Sequence, residues 1–237
     1  RWALAALAPL APGWPFLPRV LRLRGVLADL ARPLEERYFR GMSLFGPELR
    51  RELYRPELRR ELGGFDPREV FLRHLERTRG CPPLSRLQHL DLKTYLPEDV
   101  LTKVDRMSMA HALEVRCPLL DHRLVEFAAS LPPELKLRGR TTKHVLKRSL
   151  EGMVPAAILR RPKRGFVIPL SEWLRGELRG VVEGLLFAPG ARVGAWVDLA
   201  RLRRLWRRHL RGLEDHGHRI WALLMLELWC RLVHEGS

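Results

Sequence analysis

Apolar residues recur at helical spacing along almost the whole chain. Positions three and four apart are repeatedly apolar and charged residues lie between them, a pattern typical of amphipathic helices. No stretch alternates long enough to predict a strand. The pattern predicts helices over residues 20–34, 47–62, 67–77, 97–113, 122–131, 142–151, 170–186, 199–213 and 220–234. The sequence therefore predicts a mainly α protein, with glycine and proline between the helices.

Local signals predict how some of these helices begin. Pro97 suits the first turn of a helix, where its missing N–H is not needed. Asp121 follows an apolar pair and is a good N-cap for the next helix. Thr141 or Thr142 is predicted to cap the helix that follows. Lys143 would then lie in a first turn, where the helix dipole disfavours a cation, and this arrangement predicts a nearby anion.

Composition limits the classes of protein to which the chain can belong. The 237 residues are 46% hydrophobic and 30% charged, which suits one large or two small globular domains. The net charge of +16 predicts attraction to phosphates, although only six of the 43 basic residues are lysines. Three widely spaced cysteines predict a reducing, cytoplasmic location and neither a disulfide framework nor a zinc site. The sequence His216-Gly-His218 is interpreted as a helix-entry turn, so no metal ligand is predicted.

The first 34 residues form an apolar, proline-rich segment that we treat as a helical lead-in to a domain at residues 35–237. Four prolines cut its apolar runs well below the roughly 20 residues that a membrane span needs. Because the chain opens on Arg1, we expect it to be a piece of a longer protein. No membrane association is predicted.

A basic loop is the first candidate site. In "LRRPKRGFVIPLSEW", Lys163 lies beside Gly165, which would let a phosphate approach the backbone closely. A solvated basic loop is the alternative, and it is the usual outcome for a cluster of cations. Residues 166–169 are apolar and should anchor the loop in a core, which favours a held lysine.

Glu114 is the second candidate. Glu114 follows the end of the helix predicted over 97–113. On a helix it would lie close to one stripe with Val104, Met107 and Ala110 (or His111). A structural ion pair with Arg116 or Arg123 is the favoured interpretation on periodicity alone, because such pairs are commoner than catalytic carboxylates.

The aromatic residues of the last two helices are interpreted as packing residues. Trp221 and Leu224 share one helix face, and Trp206 and Leu210 share another. The arginines around Trp206 could contact RNA, but no recognised nucleic-acid module accompanies them, so nucleic acid is a disfavoured partner.

Several motifs, in the same order, resemble the C-terminal half of the glutamine-hydrolysing asparagine synthetase family. They are "LPEDVLTKVDRMSMAHALEVRCPLLDHRLVEFAASLPPELKL", "TTKHVLKRSL", "VPAAILRRPKRGFVIPLSEWLRGEL" and "HGHRIWALLMLELWCRLV". The resemblance extends from about residue 35 to the end. It implies the helical C-terminal part of an α/β nucleotide α-hydrolase-like (PP-loop ATP pyrophosphatase) domain, with most of the parallel sheet missing.

The resemblance also implies a reaction and roles for individual residues. ATP and Mg²⁺ would adenylate the side-chain carboxylate of aspartate, and ammonia from a glutaminase domain would then displace AMP. Lys163 resembles the lysine that neutralises the developing pyrophosphate, and Lys143 resembles a second phosphate-contacting lysine. Glu114 matches a glutamate on the acceptor side, and Gly165 would admit the phosphates.

Two motifs of that family are not found in this chain: the "SGGxDS" phosphate loop and the acidic "GEGxDE" stretch that supplies magnesium ligands. We therefore predict that the fragment alone is inactive. The alternatives are a related amidoligase acting on another carboxylate, such as a β-lactam synthetase, a lasso-peptide cyclase or a polysaccharide amidotransferase, or a basic helical module that binds RNA or a partner. A homodimer is a further alternative that the sequence leaves undecided.

Overall fold

The computed structural model of the chain describes residues 30–162, 165 and 168–233. They belong to two compact units. Of the described residues, 30–66 and 168–233 form the first unit, and 67–162 and 165 form the second. The described residues are mainly helical, which confirms the predicted class. Residues 1–29 of the proposed lead-in lie outside the described residues.

Short helices make up most of the described chain. In chain order they are α1 (Leu34–Met42), α2 (Pro47–Leu53), α3 (Pro56–Glu61), α4 (Arg68–Glu76), α5 (Pro83–Lys93), α6 (Thr102–Met109), α7 (His122–Ser130), α8 (Pro133–Lys136), α9 (His144–Ser149), α10 (Ala156–Arg160), α11 (Leu170–Arg175), α12 (Arg179–Leu186), α13 (Leu199–Leu210) and α14 (Gly217–Leu232). A π-helical turn, Leu96–Leu101, precedes α6, and 3₁₀ turns occupy Pro118–Leu120 and Arg192–Ala195. Two short strands, β1 (Leu137–Arg138) and β2 (Thr141–Thr142), pair antiparallel.

The first unit contains the hydrophobic core of the described residues. Helix α14 contributes Ile220, Leu223 and Leu224 to it, and α13 contributes Leu202 and Trp206. Trp206 is 3% exposed, and its indole N–H donates to Glu183 Oε1 at 3.2 Å. The interpretation of Trp206 and Leu224 as packing residues is therefore confirmed.

The second unit buries very little of its own surface. Of its described residues, only Leu75, Thr78 and Leu90 are buried. Its exposed apolar side chains include Met107, Leu113, Val115, Leu119, Phe127 and Met153. An apolar surface this large is typical of a region that packs against further protein.

Two predicted helices are each divided into two shorter helices, because the backbone of one residue in each leaves helical geometry. The helix predicted over 47–62 is broken between α2 and α3. Pro56 disfavours helical geometry at Arg55, which is extended with φ −63° and ψ 153°. The amide of Arg55 donates to the carbonyl of Trp196 at 2.9 Å instead. The helix predicted over 170–186 is likewise divided, at Gly176 between α11 and α12.

Local chemistry also accounts for how the other helices begin. The apolar pattern does not predict α5, because Pro83 indicates a break, although proline also suits the first turn of a helix. Pro97 does lie in the first turn of its π-helical segment, as predicted. Asp121 caps α7, with its Oδ1 accepting the Arg123 amide at 2.9 Å. The predicted threonine cap is wrong, because Thr141 and Thr142 form β2.

Candidate functional site

Lys143 lies directly after a tight hairpin and directly before a short helix. Leu137 pairs with Thr142, and Arg138 pairs with Thr141. Only two residues connect these strands, and the first of them, Gly139, has φ +59°. Glycine at that position suits a type II′ hairpin turn. The hairpin therefore fixes where α9 begins, and Lys143 is the N-cap residue of that helix.

The backbone of Lys143 is left-handed, with φ 55° and ψ 40°. This geometry is uncommon for a residue with a side chain and costs roughly 1–2 kcal/mol. The carbonyl of Lys143 accepts the Lys147 amide at 3.0 Å, so the residue begins the helix without capping it by its side chain. The side chain is exposed and has no hydrogen bond or ion pair with any described residue. Its ammonium group is thus free to meet a ligand.

Glu114 does not lie on a helix, contrary to the predicted stripe. Helix α6 ends at Met109, and the chain leaves it through Ala112, which has φ +54°. The Leu113 amide donates a hydrogen bond to the carbonyl of Ser108 at 3.0 Å, which terminates the helix. Glu114 follows in a non-helical segment, because the chain has already turned out of the helix.

The carboxylate of Glu114 pairs with Arg116, two residues on. Its Oε1 lies 2.5 Å from an Nη of Arg116, and both side chains are largely exposed. This is the structural ion pair that periodicity favoured. The pair is exposed on the surface of the second unit, where Coulomb attraction is weak, so it contributes little to stability.

The basic loop is only partly described. Lys163, a candidate site residue, and Phe166, one of the residues predicted to anchor the loop, lie outside the described residues. Gly165 is exposed. Ile168 is 54% exposed and Pro169 is also exposed, so the prediction that these two residues anchor the loop in a core is wrong. The first buried residue after the loop is Leu170, at the start of α11.

A polar cluster that sequence reasoning missed surrounds the connection between α13 and α14. We call it the junction cluster, and its members are Ser171, Arg175, His209, Glu214, Asp215, His216, Gly217 and Arg219. His216 is the N-cap residue of α14, which confirms His216-Gly-His218 as a helix-entry turn. The repeated His and acidic residues in "HLRGLEDHGHR" were the only sequence signal for this cluster.

Hydrogen bonds define the histidine tautomers in the junction cluster. His209 Nδ1 accepts the backbone N–H of His216 at 3.2 Å, so the proton of the neutral ring is on Nε2. Arg219 Nη1 lies 2.8 Å from His216 Nδ1, and Glu214 Oε2 lies 2.8 Å from His216 Nε2. Because a guanidinium only donates and a carboxylate only accepts, His216 also carries its proton on Nε2.

Burial changes the acid–base behaviour of this cluster. Burial, followed by the charge of Arg175, lowers the pKa of His209. Burial also lowers the pKa of His216, although the hydrogen bond to Glu214 opposes it. Burial alone would raise the pKa of Asp215, but hydrogen bonds from Gly217 and Ser171 hold it below its ordinary value. The folded cluster therefore favours neutral histidines beside a charged aspartate.

Three arginines of α13 contact other residues of the first unit. Arg201 pairs with Asp198, Arg208 pairs with Glu214 at 2.6 Å, and Arg203 lies over the ring of Phe187 at 5.5 Å from its centroid. With Trp206 buried beneath them, this face offers no exposed tryptophan for stacking on bases.

The described residues were also compared with the requirements of a metal site and of a membrane-spanning helix. Within them, no group of three or more His, Cys, Asp or Glu side chains is placed to hold a metal ion. In the same part of the chain, no helix is both long enough and apolar enough to span a membrane. All three cysteines are free thiols.

The chain is similar to asparagine synthetases. The family model for asparagine synthase matches residues 12–231. A Mycobacterium bovis protein, named provisionally as a glutamine-hydrolyzing asparagine synthetase, is 37% identical over 227 residues, which are 93% of this chain and 33% of that protein. The glutamine-hydrolyzing asparagine synthetase 1 of Bacillus subtilis is 28% identical over 217 residues, covering 90% of this chain and 33% of its own length.

A third relative has a different name. Amidase chry2 of Gibberella zeae is 30% identical over 111 residues, which are 44% of this chain and 16% of that protein. No solved structure matches the chain. The chain spans about a third of the length of the asparagine synthetases that it matches.

Proposed function

The chain belongs to the asparagine synthase family, and on that premise we propose that it supplies the phosphate-contacting lysines of an ATP-dependent asparagine synthetase. The observation that carries the proposal is Lys143, whose exposed ammonium group is held on a left-handed backbone without a partner among the described residues. Strain of this kind is often retained at functional sites because a ligand needs the side chain there.

The reaction has two steps. In the first step, an oxygen of the aspartate side-chain carboxylate attacks the α-phosphorus of ATP. The bond from this phosphorus to the β-bridging oxygen breaks, and pyrophosphate leaves with its electrons. In the second step, ammonia attacks the acyl carbon of β-aspartyl-AMP, the acyl C–O bond breaks, and AMP leaves as asparagine forms and a proton is lost.

The proposed roles of the residues follow from where charge develops. Negative charge grows on the leaving pyrophosphate, so a positioned ammonium lowers the barrier of the first step. We assign this role to Lys163, with Lys143 as a second contact to the phosphates and Gly165 admitting them. Glu114 is assigned to the acceptor side, where an exposed carboxylate can orient ammonia or accept its proton.

Magnesium would neutralise the phosphate charge further. No set of carboxylates placed for a metal occurs among the residues that the structure describes, so no step is derived through the ion. We expect its ligands, the nucleotide-binding loop and the glutaminase domain to come from protein outside this chain. For the same reason we expect the chain alone to be inactive.

Pyrophosphate release tests the proposal. The protein encoded by the complete reading frame that contains this chain is assayed with ATP and aspartate. Lys163→Ala and Lys143→Ala should each lower the rate by about 10²–10³-fold. Arg140→Ala is the matched control, because it removes an exposed cation three residues before Lys143. Unchanged turnover in both lysine variants would remove these residues from the mechanism.

A related enzyme acting on another carboxylate is the second candidate, because amidase chry2, which is similar over 44% of this chain, is not named as an asparagine synthetase. Both candidates would form an acyl-adenylate from their own carboxylate and release pyrophosphate, so the lysines would serve either one. ATP–pyrophosphate exchange, measured with aspartate and with other carboxylic acids, separates them. Exchange that depends on aspartate alone supports the synthetase.

A further inference from the structure

We propose that Arg204, Arg207 and Arg211, which we call the arginine stripe, form a docking surface for an acidic segment of a partner protein. The stripe lies on α13 and its C-cap residue, within the first unit. The segment that fits it carries three carboxylates at helical spacing. Because the proposal concerns binding of a partner, it does not depend on the proposed synthetase activity.

The stripe lies on the outer face of α13. Leu202, Trp206 and His209 are 0%, 3% and 0% exposed, so they define the inner face of this helix. Arg204 follows Leu202 by two positions, and Arg211 follows His209 by two. Two positions turn a helix of 3.6 residues per turn by about 200°. The arginines of the stripe are therefore on the side away from the core, and all three are exposed.

The charge of the stripe is not neutralised within the part of the chain that the structure describes. Neither an ion pair nor a hydrogen bond joins its three guanidinium groups to another described residue. Two flanking arginines on the same helix differ, because each has a carboxylate partner. Arg201 lies 3.3 Å from Asp198 Oδ2, and Arg208 lies 2.6 Å from Glu214 Oε1. Three neighbouring positive charges thus remain available to a ligand.

Repulsion within the stripe destabilises α13, and a bound anion would relieve it. The members of the stripe are three and four positions apart, the spacing at which like charges on a helix repel one another. The N-cap residue Asp198 supports the helix against this repulsion, because its Oδ1 accepts the amides of Ala200 at 2.9 Å and Arg201 at 3.0 Å. The helix therefore holds a row of cations in place for carboxylates to neutralise.

Charge complementarity selects the kind of partner. The chain carries a net charge of +16, so a second copy would be repelled from the stripe. Guanidinium groups bind carboxylates through paired hydrogen bonds, and clusters of arginine recognise acidic protein motifs. Arg201 and Arg208 already pair with carboxylates on this same helix. An acidic protein segment matches both the charge and the chemistry of the stripe.

RNA fits the stripe less well than an acidic protein segment does. Proteins hold single-stranded RNA largely by stacking its bases on exposed aromatic rings. Trp206 is the one Trp, Tyr or Phe residue of α13, and it is buried. The outer face of the helix therefore offers positive charge without a surface for base stacking.

The spacing of the stripe defines the acidic segment. Seven positions separate Arg204 from Arg211, which is a rise of about 10 Å along the helix axis. A parallel partner helix would place one carboxylate opposite each guanidinium group if it had Glu or Asp at positions i, i+3 and i+7. An antiparallel partner helix would need them at i, i+4 and i+7.

The first experiment compares two labelled probes by fluorescence anisotropy at physiological salt. The protein of the complete reading frame is mixed with an alanine-based helical peptide that has glutamate at i, i+4 and i+7, or with a single-stranded RNA. The triple variant Arg204→Glu, Arg207→Glu and Arg211→Glu should bind the peptide about tenfold more weakly than wild type, because three exposed ion pairs are lost together.

The matched control is the triple variant Arg51→Glu, Arg59→Glu and Arg73→Glu. It makes the same change in net charge at exposed arginines of α2, α3 and α4. Its affinity for the peptide should stay within about twofold of wild type, because salt screens distant charges. Equal losses in the two triple variants would overturn the proposal, since binding would then follow net charge. Tighter binding of the RNA than of the peptide, lost when the stripe is reversed, would overturn it in favour of a nucleic-acid partner.

The second experiment tests for direct contact and separates it from a folding defect. Glutamine at the three positions of the stripe removes the charge without reversing it, and this variant should keep the thermal midpoint while binding the peptide more weakly than wild type. A peptide with lysine in place of its three glutamates should bind the glutamate variant of the stripe more tightly than the control variant of equal net charge. Wild-type affinity in the glutamine variant, or equal affinity of the lysine peptide for the two glutamate variants, would contradict the proposal.

Discussion

Glu227 and Arg231 form an ion pair in which the carboxylate is fully buried and the guanidinium is half-buried. Their Oε1 and Nε atoms are 2.6 Å apart, one turn from each other on α14. The second oxygen of Glu227 accepts the Val193 amide at 2.9 Å. Arg231 also donates to the carbonyl of Leu185 at 3.2 Å. The buried side chain of Glu227 thus links α14 to the 3₁₀ turn Arg192–Ala195.

Removing the arginine should destabilise the protein. In Arg231→Ala, a buried carboxylate loses its charged partner, which costs about 1–3 kcal/mol once the partial exposure of Arg231 is taken into account. Chemical unfolding measures this loss. Arg179→Ala is the control, because its pair with Glu183 is exposed and should contribute only about 0.3–0.5 kcal/mol. Equal losses in the two variants would show that burial of Glu227 adds nothing.

The junction cluster predicts that stability falls in mild acid. Burial lowers the pKa of His209 and His216 below their ordinary value of 6.5, so the unfolded chain binds protons that the folded protein excludes. The free energy of unfolding should therefore be highest above pH 6.5 and should fall as the pH drops through that value. Each histidine contributes a slope of at most about 1.4 kcal/mol per pH unit.

His209→Gln tests this expectation, because it removes one of the two buried rings. The slope of unfolding free energy against pH between 7.5 and 5.5 should become shallower, whatever the variant does to stability at neutral pH. His218→Gln, at an exposed position two residues after His216, should keep the wild-type slope. A His209→Gln variant with an unchanged slope would show that His209 does not cause the acid sensitivity.

Replacement of Lys143 by glycine should raise stability relative to alanine while activity stays low in both variants. Glycine adopts a φ of +55° without strain, so Lys143→Gly should raise the free energy of unfolding by roughly 0.5–1 kcal/mol relative to Lys143→Ala. Both variants lose the ammonium group, and both should be slow in pyrophosphate release. Thermal unfolding and the activity assay, run on the same samples, measure the two effects. Restored activity in Lys143→Gly would mean that the backbone geometry matters and the charge does not.

Substitutions can distinguish the role of Glu114 from that of its ion-pair partner Arg116. Because the Glu114–Arg116 pair is exposed, neither Glu114→Gln nor Arg116→Ala should change the thermal midpoint. Glu114→Gln should lower asparagine formation, whereas Arg116→Ala should leave it near the wild-type rate. If Glu114→Gln has full activity, the carboxylate serves only the surface ion pair.

Local chemistry explains which features could be predicted. The N-cap Asp121, the helix entry at His216 and the helical class all depend on residues within one or two turns of each other. The misplaced end of the helix after Met109 has a different origin. An alanine in left-handed geometry closes that helix, and nothing in the apolar period marks Ala112 as the turning point.

The helical class, the basic charge and membership of the asparagine synthase family can all be predicted without a structure, because helical period, charge and motif order are properties of the linear chain. Packing of the folded chain is needed to bring Ser171 to Asp215 and the buried carboxylate of Glu227 to the amide of Val193. These contacts join residues far apart in sequence. They form only when packed helices bring a donor within about 3 Å of its acceptor.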